Sequence, residues 1–363
     1  MLLVSLPHSE GSSDIYGEQG RRLVFYLAME EYVAGHLNDL FSNSSFSGME
    51  KELFFIWQVP PTVIFGRNQV MEAEVNIPYC REHGVNLFRR KSGGGCVYSD
   101  WGNIMVSCIS ERTDVAFTFD RFLQKLALAL RQLGLNASAS GRNDVVIDGR
   151  KVSGNAFYLM PKSSIVHGTL LYDSDFDALE RAITPSQAKI TSKGVASVRQ
   201  HVVNVKDYLE TSDDASVRKL SDINLFKKYL TDFFCKGEIV LSDKQVAEIE
   251  SIEKTYLEPS FLKGRNTSYN LEFHGKIEGA GELSVGMDIE CGKITKVHLS
   301  GDYFLTASSR ANAAVDMDTL LTDRLRGCSD DEDSVRSTLK GFGMENYIMN
   351  MTDEKFIGLI FNR

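Results

Sequence analysis

The sequence predicts an α+β protein in two parts: a mixed-sheet main domain and a small α+β accessory domain. Three observations predict it. At 363 residues the chain exceeds one ordinary domain. Strand-like and helix-like runs follow one another without the strict βα alternation of a doubly wound sheet. Near Glu258-Pro259 the character changes to short strands separated by glycine-bearing turns. The boundary falls between residues 260 and 265, dividing 1–262 from 263–363.

Residues 21–41 carry Leu23, Tyr26, Leu27, Glu30, Val33 and Leu37 at helical spacing, which reads as an amphipathic helix on a sheet. Leu53–Trp57 and Thr62–Phe65 read as strands broken by Pro60-Pro61, with Gly66-Arg67-Asn68-Gln69 as the following turn. Val85–Phe88 is a strand into a glycine loop, and Ile104–Ile109 a strand out of it. Phe119–Leu133 is a helix with Phe122, Leu123, Leu126 and Leu130 apolar. Val145–Ile147 and Val152–Leu159 flank Asp148-Gly149, a hairpin-turn dipeptide that places Lys151 at a rigid strand start. Ile165–Tyr172 continues the sheet, and Phe176–Ile183, Leu225–Phe234 and Lys244–Leu257 read as helices. In the accessory part, Asn270–His274, Gly281–Met287 and Lys293–Leu299 read as antiparallel strands. Helices over Val315–Arg324 and Asp333–Leu339 follow, with Asp330-Asp331-Glu332-Asp333 as a solvated loop and helix N-terminal charge.

A net charge of −9 and a pI near 5.4 argue against a general nucleic-acid or membrane-surface binder. Positive charge is local instead: Arg89, Arg90, Lys91, Arg142, Arg150 and Lys151 cluster, which suits a small anionic ligand in a basic pocket. No apolar run reaches the roughly 18 residues that a membrane span needs. The N-terminus lacks a charged n-region, and Glu10, Asp14 and Glu18 disfavour a transit peptide. Six cysteines without a C-x-x-C pair or metal-ligand spacing read as reduced thiols in a cytoplasmic protein.

The densest signal is Arg89-Arg90-Lys91-Ser92-Gly93-Gly94-Gly95-Cys96-Val97-Tyr98-Ser99-Asp100, ending in Trp101-Gly102-Asn103. Glycines let backbone N–H groups close on a ligand, and neighbouring guanidiniums fork onto phosphate oxygens. That reads as a polyphosphate or acyl-phosphate cradle, although a bare triple glycine is as readily a tight turn between strands. It is neither a Walker A loop nor a G-x-G-x-x-G dinucleotide turn. Further clusters strengthen it: Ser140-Gly141-Arg142-Asn143-Asp144, Arg150-Lys151-Val152-Ser153-Gly154, and His167-Gly168-Thr169-Leu170-Leu171.

In this order and at these separations the clusters resemble the lipoate–protein ligase family, over about Gly66 to Val202. The family pattern runs arginine pair, SGGGAV, aromatic, HD, GN, then SGRND, RKVSG and HGTLL. The resemblance implies a mixed sheet of the kind shared with biotin–protein ligase catalytic domains. It also implies ATP-dependent activation of lipoate or octanoate to an acyl-adenylate, with Mg²⁺. Acyl transfer then follows, to a lysine on apo lipoyl domains of 2-oxoacid dehydrogenase E2 subunits or on the glycine-cleavage H protein. Negative charge gathers at the α-phosphate during attack, so a fixed cation and N–H donors are needed there. Lys151 is the candidate cation, and Arg90 the phosphate or lipoyl-adenylate partner. Ser92, Gly93, Gly94, Gly95, Cys96, Val97 and Tyr98 form the wrapping loop, with Val97 and Tyr98 either on the acyl chain or in a core strand. Asn143 and Asp144 either assist the nucleotide, with Asp144 the metal ligand, or simply form a turn. His167, with Gly168, is either a pocket wall or a hydrogen-bonded core histidine.

Two positions depart from the pattern: Cys96 replaces alanine, and Ser99 replaces histidine. The favoured reading of Cys96 is an inert thiol in a small packing site. The rival is a thioester nucleophile, as in a transferase that takes a pre-activated acyl group without its own ATP step.

Overall fold

An apolar run without polar alternation must be covered on both faces, and Leu53-Phe54-Phe55-Ile56-Trp57 is such a run. The computed structural model describes residues 1–7, 21–42, 44–46, 48–111, 114–141, 143–183, 201–264, 269–306 and 316–361. In it this run forms β2 (Glu52–Trp57), buried at every position, between β1 (Leu2–Ser5) and β6 (Asn103–Ser110). Leu53, Phe55 and Trp57 enter one core while Phe54 and Ile56 enter the other. The eight-stranded sheet continues from β6 through β10 (Ser163–Leu171), β9 (Arg150–Met160) and β8 (Asp144–Ile147) to β7 (Ala137–Ser140). At its other edge lies β11 (Glu238–Val240). β1 is parallel to β2 and β11 and the other pairs are antiparallel, so the sheet is mixed, as expected.

Helices cover both faces. One core is capped by α2 (Val115–Gln132) and α4 (Ile223–Phe234), the other by α1 (Leu23–Gly35) and α5 (Asp243–Tyr256), while α3 is Phe176–Ala182. Asp114 starts α2 by accepting from Phe117 N, and Ser242 with Gln245 forms a capping box on α5. The expectation of an amphipathic α1 is corrected. Every residue from Leu23 to Ala34 except Glu31 is buried, because α5 covers the side turned away from the sheet.

A second sheet, of β3 (Thr62–Phe65), β4 (Asn86–Arg89) and β5 (Val97–Ser99), positions the glycine loop. β3 is central, parallel to β4 and antiparallel to β5. The loop from Arg90 to Cys96 therefore crosses the C-terminal end of β3. The predicted hairpin turn is present: Asp148 and Gly149 have φ of 50° and 76°, as the primed turn requires. Strands at Leu2–Ser5 and Ala137–Ser140, and the helices Ile77–Glu82 and Val205–Glu210, are not foreseen, each being too short for a clear period, whereas the strand Val97–Ser99 is one of the two readings offered for Val97 and Tyr98.

The C-terminal part has its own core. β12 (Leu271–Ile277), β13 (Gly281–Glu290) and β14 (Lys293–Gly301) form an antiparallel sheet packed with α6 (Met317–Leu325), α7 (Glu332–Leu339) and α8 (Asp353–Phe361). Asp331 caps α7 by accepting from Ser334 N, as the acidic run suggested. The last helix was not foreseen. Two adjacent aromatics stitch the parts together: Tyr303 belongs to the C-terminal core, while Phe304 enters the main core and stacks on Phe157 at 5.2 Å. Among the described residues no helix is long and apolar enough to cross a membrane.

Replacing Phe304 by alanine removes a buried ring from the main core. It should destabilise the protein by about 3 kcal/mol or more, read from urea unfolding. A wild-type midpoint would contradict the stitch.

Candidate active site

One cavity of about 380 Å³ opens beside the glycine loop and the start of β9. Its deep part is walled by Leu27, Trp57, Ile64 and Met105, all buried. Lys151 and Asp144 are about one-third exposed and mark its mouth. Of the sequence candidates, Arg90, Gly94, Gly95, Cys96, Val97, Tyr98, Asn143, Asp144, Lys151, His167 and Gly168 line the cavity. Ser92 and Gly93 do not, and Arg142 lies outside the described residues.

Lys151 is held by its backbone: its N–H donates to His201 O at 2.7 Å, and its carbonyl accepts from Val203 N at 3.0 Å. Its ammonium lies 2.8 Å from Asp144 Oδ1. Two glycines make this possible. A Cβ on Gly154 would stand 2.7 Å from Lys151 Nζ, and one on Gly168 would stand 1.9 Å from Asn155 Oδ1. Asn143 is a strut: its amide donates to Asn155 O at 2.7 Å, and its carbonyl accepts from Asn155 N at 2.9 Å and from Asn155 Nδ2 at 3.1 Å. One of its two side-chain N–H donors is thus used on the fold, while the residue also lines the cavity. A protein-held metal cage is absent, since no group of three His, Cys, Asp or Glu among the described residues could hold an ion. The donor set fits a Mg²⁺ carried on substrate phosphates, with Asp144 as a carboxylate ligand.

Arg90 lines the cavity and is also engaged with the loop's own carbonyls. Its guanidinium is buried and holds the loop from beneath: Nη2 donates to Gly93 O at 2.8 Å and Gly95 O at 2.7 Å, and Nη1 to Ile64 O at 3.2 Å. Nε donates to Ser92 Oγ at 3.0 Å. Burial pushes its pKa down to about 10, so it stays protonated at neutral pH. Arg89 points the opposite way, donating to the carbonyls of Gly66, Arg67 and Gln69 and to Leu262 and Lys263 at the end of the main part. Gly94 has a φ of +87°, and its N–H donates to Tyr303 O at 3.3 Å, so one cradle donor is occupied by the C-terminal part.

His167 fulfils both of its expected readings. It lines the cavity, and its ring is hydrogen-bonded at both nitrogens, Nε2 to Ser92 Oγ at 2.8 Å and Nδ1 to Glu30 Oε2 at 2.7 Å. Ser92, His167 and Glu30 line up like a hydrolase triad, but Ser92 is wholly buried and does not reach the cavity. It cannot attack a substrate. Sequence reasoning missed Trp57, Glu30 and Asp302. A carboxylate on the apolar stripe of α1 was the one available signal for Glu30. Asp302, which lines the cavity from the C-terminal part, had none.

Residues 24–233 match the model of the lipoyl protein ligase A/B catalytic domain, and 266–360 that of the bacterial lipoate protein ligase C-terminus. Lipoate-protein ligase LplJ of Bacillus subtilis is 32% identical over 339 residues, covering 92% of this chain and 96% of that protein. The structure of P. falciparum LipL1 in complex with lipoate superposes with a TM-score of 0.66 at 19% identity, covering 98% of this chain and 96% of that one. Lipoate-protein ligase A bound with ATP gives a TM-score of 0.55 at 22% identity, over 72% and 98%.

Burial separates the thiols. It pushes Cys108 and Cys235 up to about 12, whereas Cys291 is exposed and Cys96 half-buried at the cavity. At pH about 8 a small alkylating reagent should label Cys291 and Cys96 while Cys108 stays blocked until unfolding. Peptide mapping by mass spectrometry reads this out; early labelling of Cys108 would contradict the packing.

Proposed function

The chain belongs to the lipoate–protein ligase family, and from that premise we propose that it activates lipoate or octanoate with Mg·ATP and transfers the acyl group to a lysine of an acceptor protein. The acceptors would be apo lipoyl domains of 2-oxoacid dehydrogenase E2 subunits and the glycine-cleavage H protein, in the cytoplasm. One observation carries the reading: a single cavity joins a deep apolar wall to a mouth holding Lys151 and Asp144 beside a glycine loop. An acyl chain fits the first and a carboxylate meeting a phosphate fits the second.

In the first step a carboxylate oxygen of lipoate attacks the α-phosphate, and pyrophosphate leaves. Lys151, fixed through its backbone, would supply positive charge to the carboxylate and α-phosphate together. Bound Mg²⁺ would neutralise phosphate charge, with Asp144 as its carboxylate. Arg90 keeps the loop in shape from behind. In the second step the acceptor amine attacks the acyl carbonyl, and AMP leaves; Lys151 would hold the carbonyl oxygen as charge develops. Low dielectric around the buried walls strengthens each of these contacts. We further propose that 1–262 and 263–363 act as catalytic and accessory domains. The accessory domain would close over the site during adenylation, with Asp302 and Tyr303 at the loop.

The deciding experiment incubates the pure protein with Mg·ATP, lipoate and apo acceptor and measures AMP and acylated acceptor by mass spectrometry. Absence of both would overturn the reading. Lys151→Ala should abolish adenylation and transfer while the protein stays folded; turnover like wild type would remove Lys151 from its role. Cys96→Ala should change stability by less than about 1.5 kcal/mol and leave turnover near wild type. An acyl thioester trapped on Cys96 would instead establish the transferase route without an ATP step.

A further inference from the structure

We propose that Glu30 is a positioning residue that fixes the glycine loop for adenylation and ties it to the far wall of the acyl pocket. This rests on the ligase reading above. Glu30 sits on α1, fully buried and away from the cavity lining, yet two hydrogen-bond chains end on its carboxylate. One begins at the pocket wall: Trp57 Nε1 donates to Ser107 Oγ at 2.9 Å, and Ser107 donates to Glu30 Oε1 at 2.5 Å. The other begins at the loop: Arg90 Nε donates to Ser92 Oγ at 3.0 Å, Ser92 meets His167 Nε2 at 2.8 Å, and His167 Nδ1 meets Glu30 Oε2 at 2.7 Å.

The direction of every hydrogen follows from the two ends. An indole N–H and a guanidinium Nε–H can only donate. Ser107 and Ser92 each accept one of them, so each hydroxyl has its own hydrogen to give onward. Ser92 is wholly buried and its hydroxyl has no other hydrogen-bond partner among the described residues, so its hydrogen goes to His167 Nε2. The ring proton then sits on Nδ1 and points at Glu30. Both chains therefore demand an acceptor at their end, and a carboxylate offers one oxygen to each. A carboxamide in its place offers one oxygen acceptor and an NH₂ group that can only donate, so one chain must reverse or break. Arg90 holds the carbonyls of Gly93 and Gly95, so slack in its chain is passed to the loop.

The test uses the full-length protein with selective ¹⁵N-histidine labelling, the His167 signals being assigned by their loss in His167→Gln. The wild type should show a protonated Nδ1 and a bare Nε2. A bare Nδ1, or a doubly protonated ring, would overturn the proposal. In Glu30→Gln, hydrogen exchange of the peptide spanning residues 92–96 should quicken at least about tenfold, and this needs no activity. Lipoate-dependent ATP–pyrophosphate exchange should fall about tenfold or more in kcat, the size of losing one hydrogen bond to a charged group. KM for ATP should stay within about twofold, and Glu30→Asp, which keeps two acceptors, should recover part of the loss. A folded Glu30→Gln with wild-type loop exchange and wild-type kcat would sink the idea. If the wild type itself shows no ATP–pyrophosphate exchange, the ligase reading fails, and the tautomer and loop measurements still decide what Glu30 does.

Discussion

Two adjacent guanidiniums, both inside the protein, carry no carboxylate partner among their hydrogen bonds to the described residues and hold the site together largely through carbonyl groups. Neighbouring residues on a strand point to opposite faces. At the end of β4 this sends Arg89 toward the turn after β3 and the close of the main part, and Arg90 under the glycine loop. Burying a cation is costly unless every donor finds an acceptor. Burial pulls both pKa values down to about 10, yet each group stays charged because carbonyls, and for Arg90 also the Ser92 hydroxyl, accept from its planar fork. Lysine could not replace either arginine: a point charge with three donors cannot reach acceptors spread over so wide a plane.

The sequence carries the arginine pair plainly, but not its partners. Charge is a property of the residue, whereas the choice between a phosphate and a carbonyl is set by which face of β4 is covered. That is why the loop-holding bonds of Arg90 cannot be read from the sequence. The same limit explains α1, whose helical spacing is visible while its second covering helix, α5, lies more than two hundred residues away. Local features were legible. The Asp148-Gly149 turn and the strand start at Lys151 depend on near neighbours in the chain. Trp57 and Asp302 reach the cavity through pairings of distant segments, which spacing along one sequence does not reveal.

The small residues around Lys151 deserve the same reading. The gap left at Gly154 lets the lysine side chain lie flat toward Asp144, and the gap at Gly168 admits the Asn155 amide. Both sit where their strands have a paired neighbour on each side, so the vacant volume is on the side-chain face and is rigidly framed. Rigid framing is what a group that must act on two successive reacting centres needs.

Tyr303 and Phe304 have a consequence of their own. Because one peptide bond joins an aromatic of each core, the two parts meet as a dovetail rather than as flat faces. The joint is short, local and independent of the connecting chain. A backbone cut between residues 264 and 269 would leave Tyr303 and Phe304 joined on one fragment and the core that Phe304 enters on the other. Continuity of the polypeptide is therefore not what aligns the parts, and the same architecture is open to assembly from two separately made chains.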